Sequence, residues 1–197
     1  MPIVSLPTGE EPPKGFETLV NNDPTPKDGL RIDCVFLSQL SAIELAEIET
    51  LRGKALDTIS NLVGLSNEAL SFENETNLIP DKSPSDKMLF RAYKGGWLAG
   101  YALVINGWPN PCEWVIQHMI IDPKYRLQGI GSTIVSTIEK YALSSEIEAT
   151  SIFAIPLEKK GKDFWSFVGY TVEMHRRIIK IAGLNHELVI YRKELAD

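Results

Sequence analysis

Gly129-Ile130-Gly131 stands where an apolar strand gives way to an amphipathic helix, and that junction constrains the chain more than any other stretch. Upstream, Trp114 to Ile121 is an apolar run of strand length. Downstream, Ile130, Ile134, Val135, Ile138, Tyr141 and Ala142 recur on one helical face. The connection reads Arg126-Leu127-Gln128-Gly129-Ile130-Gly131-Ser132. Glycines there let the backbone turn tightly and come close to a ligand. The amides that open a helix lack intrahelical partners, and the helix dipole adds partial positive charge at the same place. Strand, glycine turn and helix start therefore describe a pyrophosphate cradle.

Two familiar cradles are excluded by what is missing. A dinucleotide fingerprint needs a third glycine at position 134, which is Ile134. A Walker A loop needs a lysine after its last glycine, and Gly131 is followed by Ser132. What remains, Arg-x-x-Gly-x-Gly, resembles the acetyl-CoA signature of the GCN5-related N-acetyltransferases (GNAT). The whole run MIIDPKYRLQGIGS, Met119 to Ser132, is similar to that family's strand, turn and helix start.

The order of elements agrees independently. Arg31 to Leu37 reads as a first strand, and Ser41 with Glu44 forms a capping box. Ile48, Leu51, Ala55, Ile59 and Leu62 then give a helix ending near Gly64. Residues 65–87 are polar and predict a loop with irregular helix. Met88 to Tyr93 and Trp97 to Ile105 flank a Lys94-Gly95-Gly96 hairpin, and a fourth strand ends at Ile121. After the cradle helix come a short buried strand, Thr150 to Ile155, and a short helix, Lys162 to Val168. Tyr170 to Ile181 and Glu187 to Lys193 close the chain as a hairpin around Gly183-Leu184-Asn185-His186. Phe164 to Tyr170 is also similar to the family's aromatic segment ending in Gly-Phe.

The resemblance implies an α/β (α+β) fold with a central, mixed, mostly antiparallel sheet flanked by helices and splayed between its fourth and fifth strands. It implies acetyl-CoA as cosubstrate and direct attack by a primary amine, of a small molecule or a protein, in a ternary complex. The pantetheine arm would pair with Met119, Ile120 and Ile121 on the fourth strand. A bulge there would free an amide near Met119 for the thioester carbonyl. Arg126, Leu127, Gln128, Gly129, Ile130, Gly131 and Ser132 would hold the diphosphate, the Ser132 hydroxyl adding a bond.

Proton transfer is where this sequence departs from the family. An alkylammonium has a pKa of about 10.4, so under about 0.1% is free amine at neutral pH. Where relatives carry a glutamate base, this chain has Gln117 or Val115. Alternation puts Glu113, Val115 and Gln117 on one face of the strand and Trp114, Ile116 and His118 on the other. Glu113 is a candidate base acting through water, with Gln117 orienting substrate. His118 is the other candidate, if a bulge shifts the register. Where relatives carry a tyrosine acid, this chain has Trp165, whose indole donates a hydrogen bond but keeps its proton. Tyr125 and Tyr170 are alternative hydroxyls. The missing pair leaves a second reading open, a catalytically weak or inactive acyl-CoA-binding sensor of the same fold.

Composition narrows the setting. Hydrophobic residues make up 44% and charged residues 23% of 197, which suits one globular domain. Six of the twelve prolines fall in the first 30 residues, predicting an extended arm over 1–30 and a catalytic domain over 31–197. A net charge of -6 argues against nucleic-acid binding and tilts toward cationic acceptors. No apolar run reaches about 18 residues and the start lacks a signal-peptide pattern, so no membrane association and a cytoplasmic protein are expected. Cys34 and Cys112 are far apart and the three histidines are scattered, so no metal is expected. Either a monomer or a homodimer is compatible, edge strands of the last hairpin being free to pair.

Overall fold

A computed structural model describes residues 29–63, 72, 86–145, 148–154, 161–181 and 184–195, with side chains left aside in 56–63, 161–162 and 172–188. Seven strands form one sheet: β1 (Leu30–Phe36), β2 (Lys87–Lys94), β3 (Trp97–Ile105), β4 (Glu113–Ile121), β5 (Ser151–Ala154), β6 (Thr171–Ile181) and β7 (Leu184–Glu194). Their spatial order is β1-β2-β3-β4-β5-β7-β6. All neighbours are antiparallel except β4 and β5, which run parallel. The helices are α1 (Ala42–Val63), α2 (Ile130–Leu143) and α3 (Gly161–Phe167). This is the mixed, mostly antiparallel α/β architecture expected from the sequence.

Each sheet face is covered by a helix whose apolar spacing the sequence displays. The capping box starts α1: Ser41 N donates to Glu44 Oε2 at 2.9 Å, and Glu44 N donates to Ser41 Oγ at 3.3 Å. Ile48, Leu51 and Ala55 are buried and cluster with Leu89, Tyr101, Leu103 and Ile120 of the sheet and with Phe72. On the other face, Ile130, Ile134, Val135, Ile138 and Ala142 of α2 pack on Phe90, Ala102, Val104, Trp114 and Ile116. Each fully buried Ile, Leu, Val or Phe side chain among these contributes about 1.5–3 kcal/mol. Arg91, 5% exposed, ties β1 to the start of α1: it donates to Asp33 Oδ1 at 2.8 Å and to Glu44 Oε1 at 2.6 Å.

β4 carries the irregularity that shapes the site. Leu103 opposes His118 while Val104 opposes Ile116, so Gln117 is an extra residue in β4, a bulge. A one-residue insertion moves every later side chain to the opposite face. Trp114 and Ile116 lie on the α2 side, but past the bulge Met119 and Ile121 take that side and Ile120 joins the α1 side. His118, stacked edge-on against Tyr101 with ring centroids 5.5 Å apart, is also on the α1 side. Strict alternation had grouped His118 with Trp114 and Ile116, and the bulge reverses that.

β4 and β5 pair in parallel from Glu113 opposite Ser151 to Ile116 opposite Ala154. A second correction concerns the last hairpin. Ile181 pairs with Leu184, Lys180 with Asn185 and Ile179 with His186, so only two residues join β6 to β7. The polar Asn185 and His186 extend the strand, because backbone pairing tolerates them at the end of a sheet edge. Residues 1–28 of the arm expected over 1–30, residues 65–71 and 73–85 of the loop expected over 65–87, and the side chains of Ile59 and Leu62 lie outside the described residues; Leu30 and Lys87 already belong to β1 and β2.

Candidate functional site

The turn after β4 is built from its own backbone. Asp122 accepts from Lys124 N at 2.9 Å and begins a single 3-10 turn, Pro123–Tyr125, with proline at the position where a missing N–H costs nothing. Tyr125 N donates to Asp122 O at 2.8 Å. The chain then passes through two left-handed residues, Leu127 with φ of 61° and Gly129 with φ of 80°. Leu127 is the only non-glycine residue with positive φ among those described, and it is fully exposed. Such a conformation costs a residue with a Cβ roughly 1–2 kcal/mol, a strain typical of functional sites.

That geometry leaves a row of donors. The first α2 amide bonded within the helix is Thr133 N, which donates to Gly129 O at 3.0 Å. Among the described residues, the amides of Leu127, Gln128, Gly129, Ile130, Gly131 and Ser132 donate to no protein group. No side chain caps the helix. Six successive N–H groups at a positive helix end are a ready anion site. A Cβ on Gly129 would meet only Ser132 Oγ, at 4.0 Å, so the space beside it is open. Gly131, by contrast, is required for packing, since it backs onto Phe164 and Met119.

The flanking side chains have other duties. Arg126 Nε donates to Ile121 O at 3.3 Å, tying the turn to the end of β4. Gln128 bridges, accepting from Lys94 Nζ at 2.8 Å and donating to Lys124 O at 3.0 Å. Ser132 Oγ donates to Gly129 O at 2.8 Å, which commits its proton and leaves its oxygen as an acceptor. The cradle is main chain; its side chains hold the shape.

The residues singled out for proton transfer do not converge. Glu113 sits at the start of the β4–β5 pair, four residues and about 13 Å along the strand from Gln117. It accepts from Asn110 Nδ2 and faces Arg192 Nη2 at 3.7 Å. Gln117 is the bulge residue itself and is buried. His118 is fully buried on the α1 side; burial first, then the charge of Arg52, lowers its pKa to about 3. Trp165 is buried on the α2 side with Phe164 and Tyr170, so it and His118 lie on opposite faces of the sheet. Burial and the charge of Glu139 raise the pKa of the Tyr170 phenol. Tyr125 is partly buried against the same core, with Lys124 Nζ 5.2 Å from its ring.

Beside the bulge lies a buried polar set that the sequence did not announce. Arg52 is fully buried on α1, with Nη1 3.4 Å from Tyr101 Oη and Nε 3.2 Å from Glu49 Oε2. Phe72 covers it, its ring 5.7 Å from the guanidinium. Helical spacing held the clue: Arg52 follows Ile48 by one turn and so lies on the buried face. Asp122 and Lys54, 3.2 Å apart, were likewise missed.

A mixed sheet with a parallel β4–β5 pair, whose fourth strand leads through a glycine turn into a helix, is the architecture that the sequence resemblance implies. The model of the acetyltransferase (GNAT) family matches residues 58–170, more than half of the chain, and the chain belongs to that family. Solved structures show the same fold. The acetyl transferase of Salmonella typhimurium that modifies the N-terminal serine of a 50S ribosomal subunit protein superposes with a TM-score of 0.63 at 12% identity, over 88% of this chain and 98% of that one. An acetyltransferase from Thermus thermophilus gives 0.56 at 16% identity, over 83% and 97%. The ribosomal-protein alanine N-acetyltransferase of Escherichia coli gives 0.54 at 12%, over 84% and 95%. No curated protein matches the chain.

Proposed function

We propose that this protein transfers an acetyl group from acetyl-CoA to a primary amine by direct attack within a ternary complex. The observation that carries this reading is the row of six backbone amides, Leu127 to Ser132, without acceptors among the described residues. Acetyl-CoA would supply the activated acyl group as a thioester, and the amides would hold its diphosphate. The amide at Met119, just past the bulge, is suited to polarise the thioester carbonyl. Holding amine and thioester together in line supplies much of the rate for an acyl transfer that is intrinsically easy. The acceptor amine must lose a proton, and water can take it where no side chain does.

The acidic balance of the chain favours cationic acceptors, whether small amines or protein amino groups. The test has two arms. Acetyl-CoA should raise the melting temperature, and a panel of amines assayed by release of free CoA thiol should identify an acceptor. A second reading, acyl-CoA sensing without turnover, is supported by the burial of His118 and Trp165 on opposite faces. Thermal stabilisation with no thiol release from any amine would select it.

A further inference from the structure

A buried carboxylate stands one turn from the donor row. Asp122 is 5% exposed, yet it begins the 3-10 turn that leads into Leu127. Its Oδ1 accepts from Lys124 N, which fixes the turn. Its Oδ2 accepts from Lys54 Nζ at 3.2 Å, across 68 residues of sequence, from the middle of α1. The Lys54 side chain is 56% exposed, so nothing buries it there; the carboxylate draws it. A fixed negative charge so close to a diphosphate site repels the ligand unless a cation offsets it, and a low-dielectric surrounding sharpens that repulsion.

From this geometry we infer that Lys54 is a positioning residue for the donor substrate: it neutralises Asp122, so that the turn can be braced by a carboxylate and still accept a diphosphate. The inference rests on the acetyl-CoA reading and deepens it. It assigns a helix on the far side of the sheet from α2 a part in donor binding. The division of labour follows from chemistry. An aspartate braces the turn more firmly than a neutral group, because an ionised acceptor makes the stronger bond to Lys124 N. The lysine removes the electrostatic penalty of that choice.

The test compares binding of two donors by calorimetry or NMR titration, acetyl-CoA and S-acetylpantetheine, which ends before the diphosphate. Lys54→Met should weaken acetyl-CoA about 5–10-fold at low salt, less at 0.5 M salt, and leave S-acetylpantetheine unchanged. Lys54→Arg should keep wild-type affinity. Lys54→Met combined with Asp122→Asn should recover most of the loss, because the uncompensated charge is gone. Unaltered acetyl-CoA affinity in Lys54→Met overturns the inference, and so does an equal loss for both donors, which would mark a structural role. Failure of the double variant to recover overturns it too. Wild-type protein that binds no acetyl-CoA overturns the functional reading itself, a result distinct from these.

Discussion

The ring of Phe164 lies against Gly131 so closely that a methyl group there would stand 3.2 Å from Cε2 and 3.3 Å from Cζ. The two glycines of the turn are thus needed for different reasons: Gly129 for its left-handed backbone, Gly131 for the aromatic ring of α3 behind it. Gly131→Ala should cost about 1 kcal/mol and raise the dissociation constant of acetyl-CoA a few-fold as the ring shifts. Gly129→Asp should abolish the acetyl-CoA thermal shift by setting a carboxylate against the donors. Calorimetric titration of both variants checks this, and full affinity in Gly129→Asp would contradict the cradle.

Arg91 holds two carboxylates from two elements while almost excluded from water. Replacing it with methionine leaves Asp33 and Glu44 near each other without their cation. Arg91→Met should therefore lose roughly 3 kcal/mol. Urea unfolding should show a lower midpoint with an unchanged slope. A loss below 1 kcal/mol would mean that the network adds little.

Glu44 gives a pH signature. The Ser41 hydroxyl and then Arg91 bond its carboxylate, lowering its pKa to about 2 from 4.5. An acid depressed in the folded state contributes stability above its unfolded pKa and loses it as pH falls through the folded one. Wild-type stability should thus decline between pH 4.5 and 2 more steeply than that of Glu44→Gln. Parallel melting curves of the two proteins across that window would refute the assignment.

His118, with a pKa lowered to about 3, should remain neutral through the physiological range. In the unfolded chain it protonates near pH 6.5, so its contribution to stability is complete above that value. Below it, up to about 1.4 kcal/mol is lost per pH unit. The imidazole signals of His118 should show no inflection between pH 5 and 8 by NMR. A midpoint near 6.5 would mean that the ring meets water and is open to act as a base.

Local signals were the legible ones. The apolar spacing of Ile48, Leu51 and Ala55, the Ser41–Glu44 box and the turn at Gly129 each lie within a few residues, and each was readable in the chain. The parallel β4–β5 pair, from Glu113 opposite Ser151 to Ile116 opposite Ala154, belongs to the mixed sheet that the family likeness implied. What stayed hidden depends on register. One extra residue at Gln117 sends His118 to the α1 face, and no periodicity announces such an insertion. Arg91 with Asp33, and Lys54 with Asp122, join residues 58 and 68 positions apart, so their pairing exists only after the strands align.

Because the anion-facing groups of the turn belong to the peptide backbone, altering Leu127 or Gln128 leaves every one of those hydrogens in place. Leu127 is fully exposed and can vary in charge or bulk, whereas Gln128 also bridges Lys94 and Lys124 and so braces the turn. Substitution at Leu127 can therefore change what surrounds the row of amides without removing any of its donors.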